Sequence, residues 1–237
     1  LKTTPKIETR NIKDKVWSED LTKESKQTQR NWRNFWDENS SVPSAYRYNI
    51  SICDEPKFIW FRNAKVATRT TFSAIKESNI KLTADAPYKC HYSPMDYKDY
   101  FKFGFVRNPW DRFVSGWLNK VIKKNALNLD PDQYAEMKNF DNFVNYCSQF
   151  DLDTWNSHFR RQNKLIDLNE VDFIGRFENF EDDLRYVFTK LNLPLNNISK
   201  KNSTKHRTEY QRYYSDKSKR MIEELYQKDI QVFGYSF

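Results

Sequence analysis

The chain has 237 residues and a net charge of +8 at pH 7, enough length for one large α/β domain with a sizeable core. Four Gly against 7 Trp, 14 Tyr and 18 Phe exclude a low-complexity or disordered chain, and the basic balance calls for an anionic partner: nucleic acid, a membrane surface, a phosphorylated cofactor or an acidic polysaccharide. Cys53, Cys90 and Cys147, odd in number and without CxxC spacing, exclude a disulfide framework and a zinc ribbon and favour a reducing, cytoplasmic compartment; no apolar run approaches the roughly 18 residues of a membrane span.

In chain order, residues 1–30 are polar and charged and read as an extended arm or marginal helix, docked by Trp32, Phe35 and Trp36 at helical spacing. Pro43 to Asp54 carries turn chemistry around a short Ile50/Ile52 alternation. Residues 58–62 read as a buried strand, and from Thr68 onward Phe72, Ala74 and Ile75 recur at helical spacing, so Asn63 to Ala67 is the tight connection. A strand feeding a helix through a loop with a lysine and hydroxyls is how α/β proteins grip phosphate, because the N–H groups of a helix's first turn and its dipole both attract an anion. The loop has no glycine, so it is not a Walker A sequence, and ordinary P-loop kinases and GTPases are disfavoured.

Leu82 to Pro87 reads as a loop, and 88–94 as a short strand ended by Pro94. Residues 101–106 form the second convincing strand, running into Arg107 and a helix with Asn108 as N-cap, Pro109 at its first position and Asp111 in its first turn. Beyond Asn125 the chain is mostly helical. One apolar stripe holds Phe140, Phe143, Val144 and Cys147, another Leu184, Val187, Phe188 and Leu191, with a third strand at 171–174 between them. Residues 200–207 form a basic loop, and one last helix runs from near Ser215 to Gly234.

Two strand-to-helix junctions about forty residues apart, each with basic and hydroxyl side chains, imply a ligand with two separated anionic groups. Lys65-Val-Ala-Thr-Arg-Thr resembles the 5′-phosphosulfate loop of sulfotransferases, and Phe105-Val-Arg107-Asn-Pro-Trp-Asp-Arg112-Phe-Val-Ser115 resembles their 3′-phosphate motif. The likeness continues through His158-Phe-Arg-Arg-Gln162, Val171-Asp-Phe-Ile-Gly-Arg-Phe-Glu178 and the ending Leu225 to Tyr235. It is the landmark set of carbohydrate sulfotransferases related to the chondroitin enzymes.

The resemblance implies an α/β, P-loop-like sulfotransferase fold: a short central parallel sheet flanked by helices, with a helical C-terminal half. It implies residues 57–237 as the catalytic domain, with 1–56 as arm and lead-in. The implied donor is 3′-phosphoadenosine 5′-phosphosulfate (PAPS), used without a metal, and the implied acceptor is a hydroxyl compound, expected to be a glycan. Lys65 stabilises the leaving phosphate, with Val66, Ala67, Thr68, Arg69, Thr70 and Thr71 completing the loop that binds it. Arg107 and Ser115 hold the 3′-phosphate. His91, between the two motifs, stands where several members carry a catalytic base. Arg69 departs from the usual small hydroxyl residue, and either turns outward or leaves the contacts to Thr68 and Thr70. Animal relatives work in the Golgi lumen, the alternative to a cytoplasmic location. The rival from another class is a non-catalytic binder of acidic polysaccharide or nucleic acid using the basic surface.

Overall fold

The computed structural model describes Ser44, residues 46–195 and residues 209–237, apart from the side chains of residues 86–89. The N-terminal arm with Trp32, Phe35 and Trp36, and the basic loop 200–207 with His206, lie outside the described residues. The chain divides into two compact units: one takes the described residues up to Asn63, Ala67–Phe105 and those from Lys164 onward to 195, the other Ala64–Val66, Val106–Asn163 and 209–237.

The first is a sheet unit. Its strands are β1 (Tyr48–Asp54), β2 (Lys57–Phe61), β3 (Ala84–Cys90), β4 (Phe101–Val106) and β5 (Phe173–Arg176), in the order β3-β1-β2-β4-β5. Helix α1 (Thr68–Glu77) follows β2. Phe58, Ile59, Trp60 and Phe61 are all buried, the continuous apolar run expected of a strand covered on both faces. β2 and β4 are parallel, with Phe58 opposite Phe101 and Phe61 opposite Gly104. This pair is the parallel centre expected from sequence, and α1 and β3 supply the crossover that parallel pairing needs.

The sheet is mixed because two strands join β2 from the other side. β1 pairs antiparallel with β2, placing Ile50 opposite Phe61, and β3 pairs antiparallel with β1. Residues 82–87 were expected as a loop, yet β3 begins at Ala84. β3 lies at the sheet edge, where a proline such as Pro87 is tolerated because its missing N–H breaks no central ladder. Glycines mark close approaches: a Cβ on Gly104 would lie 2.8 Å from Ile166 Cδ1, and one on Gly175 would overlap the ring of Phe105. Inside this unit Arg62 forms an ion pair with Asp85 and lies 4.6 Å from the centroid of the Phe72 ring.

The second unit is helical. It contains α2 (Pro109–Trp117), which continues as one π turn over Leu118–Ile122, then α3 (Pro131–Met137) and α4 (Phe140–Cys147). After α5 (Phe180–Lys190), which belongs to the sheet unit, come α6 (Asp216–Leu225) and α7 (Gln227–Phe233). The stripe Phe140, Phe143, Val144 and Cys147 is buried in one core with Phe113, Phe159, Ile222 and Tyr226. Sequence periodicity predicts one last helix. Instead the chain breaks at Tyr226 (φ −114°, ψ 19°), whose hydroxyl donates to the Phe159 carbonyl. The hydrogen bond and the burial of that ring outweigh helix continuity. Gly234 ends α7 at φ 63°, the left-handed cap expected of it.

Cys53, Cys90 and Cys147 are free and buried, packed as small apolar side chains irrespective of compartment. Their number therefore does not decide the compartment. Among the described residues no helix is long and apolar enough to cross a membrane.

Candidate functional site

The loop between β2 and α1 turns without glycine. Lys65 and Ala67 adopt left-handed conformations, φ 70° and 62°, at a cost of roughly 1–2 kcal/mol each. Ala67 is thus the N-cap, the last residue of the connection expected from sequence, and the helix opens at Thr68. No side chain caps α1 and no acid stands in its first turn, so the positive end of its dipole carries no internal counter-charge. Thr68 Oγ1 donates to the Asn63 carbonyl at 2.6 Å, closing the loop. Thr71 is fully buried, with its hydroxyl 3.4 Å from the Ala67 carbonyl, and Thr70 is buried as well. Arg69 turns outward and is exposed, and Val66 is buried in the core.

The second junction is built differently. Asn108 accepts from the N–H groups of Trp110 (3.1 Å) and Asp111 (3.4 Å), and Pro109 opens α2. Arg107 is buried at 1% exposure. Its guanidinium forms a fork on Asp111, with Nε at 2.8 Å from Oδ2, while Nη1 donates to the Lys65 carbonyl at 3.1 Å. The two cations singled out from sequence therefore meet within the helical unit, through a side chain of one and the backbone of the other. Ser115 lies on α2, partly buried.

Three residues that stand inside the quoted landmarks, without a defined structural task there, hold this arrangement. Arg112, 1% exposed, donates from Nε to the Ala64 carbonyl (3.0 Å), from Nη1 to the Arg160 carbonyl (2.7 Å) and from Nη2 to the Ser157 carbonyl (3.4 Å). It ties the lysine loop to the segment carrying His158. Burial lowers its pKa. Gln162 brackets the Arg107 backbone, accepting its N–H at 3.0 Å and donating to its carbonyl at 2.7 Å. Asp229 accepts the N–H groups of Gln162 (2.7 Å) and Asn163 (2.8 Å). Burial pushes the Asp229 carboxyl up to about 6, opposed by those hydrogen bonds and by Arg112 and Arg161. Gln162 and Asp229 both stand inside quoted landmarks, Gln162 at the end of His158–Gln162 and Asp229 within Leu225–Tyr235, but neither has a role assigned there.

His91 belongs to the sheet unit, just past β3. Its Nδ1 lies 2.8 Å from the Ser44 carbonyl. A carbonyl only accepts, so Nδ1 carries the hydrogen, which leaves Nε2 as the lone-pair nitrogen of the neutral tautomer. His158, in the helical unit, is fixed likewise: Asn156 Oδ1 takes its backbone N–H at 3.0 Å and faces its Nδ1 at 3.1 Å.

Known proteins give a name to this combination of landmarks. The chain is 24% identical over 171 residues to carbohydrate sulfotransferase 14 of Homo sapiens, covering 62% of this chain and 46% of that protein. It is 24% identical over 236 residues to carbohydrate sulfotransferase 10 of Xenopus laevis, covering 80% and 65%. An uncharacterized protein of Archaeoglobus fulgidus is 34% identical over 96 residues, covering 40% and 70%. The chain spans about half the length of the human enzyme and of others like it. No solved structure matches it. The description of the sulfotransferase family fits residues 44–236, and the chain belongs to that family.

Proposed function

We propose that this protein transfers a sulfuryl group from PAPS to a hydroxyl of a carbohydrate acceptor, with residues 57–237 as the catalytic domain. The observation that carries the reading is the Arg107 guanidinium on the Lys65 carbonyl at 3.1 Å, which joins the two anion-binding motifs within one polar network. The donor residues fit a doubly anionic nucleotide. Lys65 and the uncapped start of α1 suit one anionic end, and Arg107 with Ser115 suits the other.

PAPS would supply the sulfuryl group and a phosphate as leaving group. The protein's share is electrostatic and positional. Lys65 would offer a cation where negative charge accumulates as the sulfur–oxygen bond breaks, an interaction stronger in the transition state than in the ground state. Val66 anchors the loop in the core, while Ala67, Thr68, Arg69, Thr70 and Thr71 present the backbone N–H groups of the helix terminus, with the Thr68 and Thr71 hydroxyls bracing the loop through the Asn63 and Ala67 carbonyls. Arg107 is oriented in advance by Asp111, so little side-chain freedom is lost on binding. His91 Nε2 is the atom that takes the proton from the acceptor hydroxyl, and the Ser44 carbonyl holds the ring in the tautomer that can do so.

The test uses adenosine 3′,5′-bisphosphate in a thermal-denaturation assay, followed by transfer from labelled donor to a panel of carbohydrates. At a hundred times its dissociation constant the nucleotide should stabilise the fold by about 2.7 kcal/mol. A protein that ignores the nucleotide but binds acidic polysaccharide or nucleic acid is instead a non-catalytic binder.

A further inference from the structure

A cleft of about 150 Å³ opens in the helical unit, lined by Asp141, Asn142 and Asn145 of α4 and by Lys217, Ser218 and Met221 of α6. Asp141 and Asn145 stand one turn apart, as do Lys217 and Met221, so each helix gives the cleft a single strip of its surface. Another strip of α4, with Phe140, Phe143, Val144 and Cys147, is spent on the core, and Met221 packs against that same core. Ser218 is buried and Met221 half-buried, while Asp141, Asn142, Asn145 and Lys217 are exposed. Among the described residues the side chains of these four form no hydrogen bond and no ion pair. Asn142 and Asn145 are engaged through their backbones alone, the N–H of one on Asn139 Oδ1 at 3.1 Å and the carbonyl of the other under the Ser148 hydroxyl at 2.8 Å.

The lining restricts what could enter. Asn139 caps α4, and Ser215 and Ser218 cap α6 by exchanging bonds of 3.2 and 3.0 Å. With both helix poles met and a carboxylate in the wall, an anion gains little there. Asp141 is the one acid of the lining, and no group of three metal-ligating side chains occurs among the described residues. The volume equals that of about five water molecules, well short of the roughly 300 Å³ at which pockets for drug-sized ligands begin.

We propose that the cleft holds one sugar ring of a glycan chain by its hydroxyls, a site that rests on the carbohydrate part of the reading above. A carboxylate only accepts, an ammonium only donates, and a carboxamide does both. A sugar hydroxyl donates and accepts at once, so neighbouring hydroxyls of one ring can serve all four exposed side chains, whereas an ion of either sign suits only some of them. Met221 offers a polarizable, adaptable surface to the C–H face of the ring. The exposed rim lets the rest of the chain run on outside. None of the six lining residues stands in a quoted landmark, so the family motifs do not assign this cleft.

The experiment follows the 13C-labelled methyl groups of the three methionines by NMR on the full chain. The probes are an unsulfated chondroitin octasaccharide, a neutral N-acetylglucosamine hexamer and sodium sulfate. The Met221 methyl should shift saturably with both sugars and stay in place with sulfate, while Met95 and Met137, outside the cleft, serve as references. Asp141→Ala combined with Asn145→Ala, both at exposed positions of α4, should weaken binding of the octasaccharide about tenfold. Sulfuryl transfer to carbohydrate with the Met221 methyl unmoved by either sugar overturns this proposal and leaves the transfer reading standing. A Met221 shift with sulfate as large as with the sugars makes the cleft an anion site and also overturns it. A saturable shift with sugar, in a protein that neither binds adenosine 3′,5′-bisphosphate nor transfers sulfate, supports the cleft and overturns the transfer reading. The wild-type titration decides the question even if the double variant fails to fold.

Discussion

The chain enters α1 through two left-handed residues, Lys65 and Ala67, with no capping side chain and no acid in the first turn. It enters α2 through Asn108, which accepts two backbone N–H groups, then Pro109, then Asp111. Both are strand-to-helix junctions, yet only the first leaves its positive pole without an internal counter-charge. At the second, asparagine and aspartate have already taken the pole, so the 3′-phosphate of the proposed donor would depend on side chains such as Arg107 and Ser115. One sequence thus contains a junction with left-handed residues and no capping side chain and another with a side-chain cap and a first-turn acid, and under the proposed function the first is the one whose helix pole is open to an anion.

The comparison can be broken most sharply at its lysine. Lys65→Ala should lower kcat for sulfuryl transfer by about 10²–10³-fold, equivalent to roughly 3–4 kcal/mol, with a much smaller effect on KM. Steady-state kinetics with labelled donor checks this, and an equal rise in KM with kcat intact would mean that the lysine only binds. Arg112→Lys removes the three-way grip on Ala64, Ser157 and Arg160. It should destabilise the protein by about 2–3 kcal/mol in urea denaturation, since one ammonium cannot serve three separated carbonyls.

The support behind the second junction should respond to pH. Asp229 has its folded pKa raised from 3.8 to about 6, so its contribution to stability is fully present below about pH 3.8 and is lost as pH rises through about 6. Across that window the wild type should lose on the order of 1–3 kcal/mol relative to Asp229→Asn. Denaturation curves at pH 4, 5, 6 and 7 would show it as a difference in slope, and parallel slopes would contradict it.

Smaller changes separate the two poles directly. Asn108→Ala should cost about 1 kcal/mol of stability through loss of the cap. Arg69→Glu, on an exposed position of the first turn of α1, should stabilise the helix by about 0.3–1 kcal/mol while weakening adenosine 3′,5′-bisphosphate binding. Calorimetry on both variants tests the contrast. If Arg69→Glu leaves the affinity unchanged, the pole of α1 is not where the anion binds. Last and smallest, Ala67→Gly should relieve the left-handed strain and stabilise by up to about 1 kcal/mol, read as a rise in Tm.

Much of this was legible along the chain. The buried run at 58–61, the helix opening at Thr68, the Asn108-Pro109 start of α2 and the Gly234 cap are local events, set by periodicity and by the φ preferences of single residues. The edge strand β3 was not, because its proline reads as a loop until a neighbour supplies the ladder. Nor was the break at Tyr226, which depends on Phe159 far away in sequence. Among the candidate site residues, Lys65, Arg107 and Ser115 stand in motifs and His91 lies between them. Arg112 stood in the same motif without a defined task, since its three acceptors come from two distant segments.

By itself the sequence determined where helices and central strands start, which cations lie beside helix termini, and the family to which the chain belongs, because short-range sterics and residue spacing govern all three. Only the tertiary structure decided that Arg107 reaches the Lys65 carbonyl, that Gln162 and Asp229 fix its backbone, and that Arg112 ties Ala64 to the segment carrying His158. Those outcomes depend on hydrogen bonds and charges between residues tens of positions apart, whose distances no local pattern encodes.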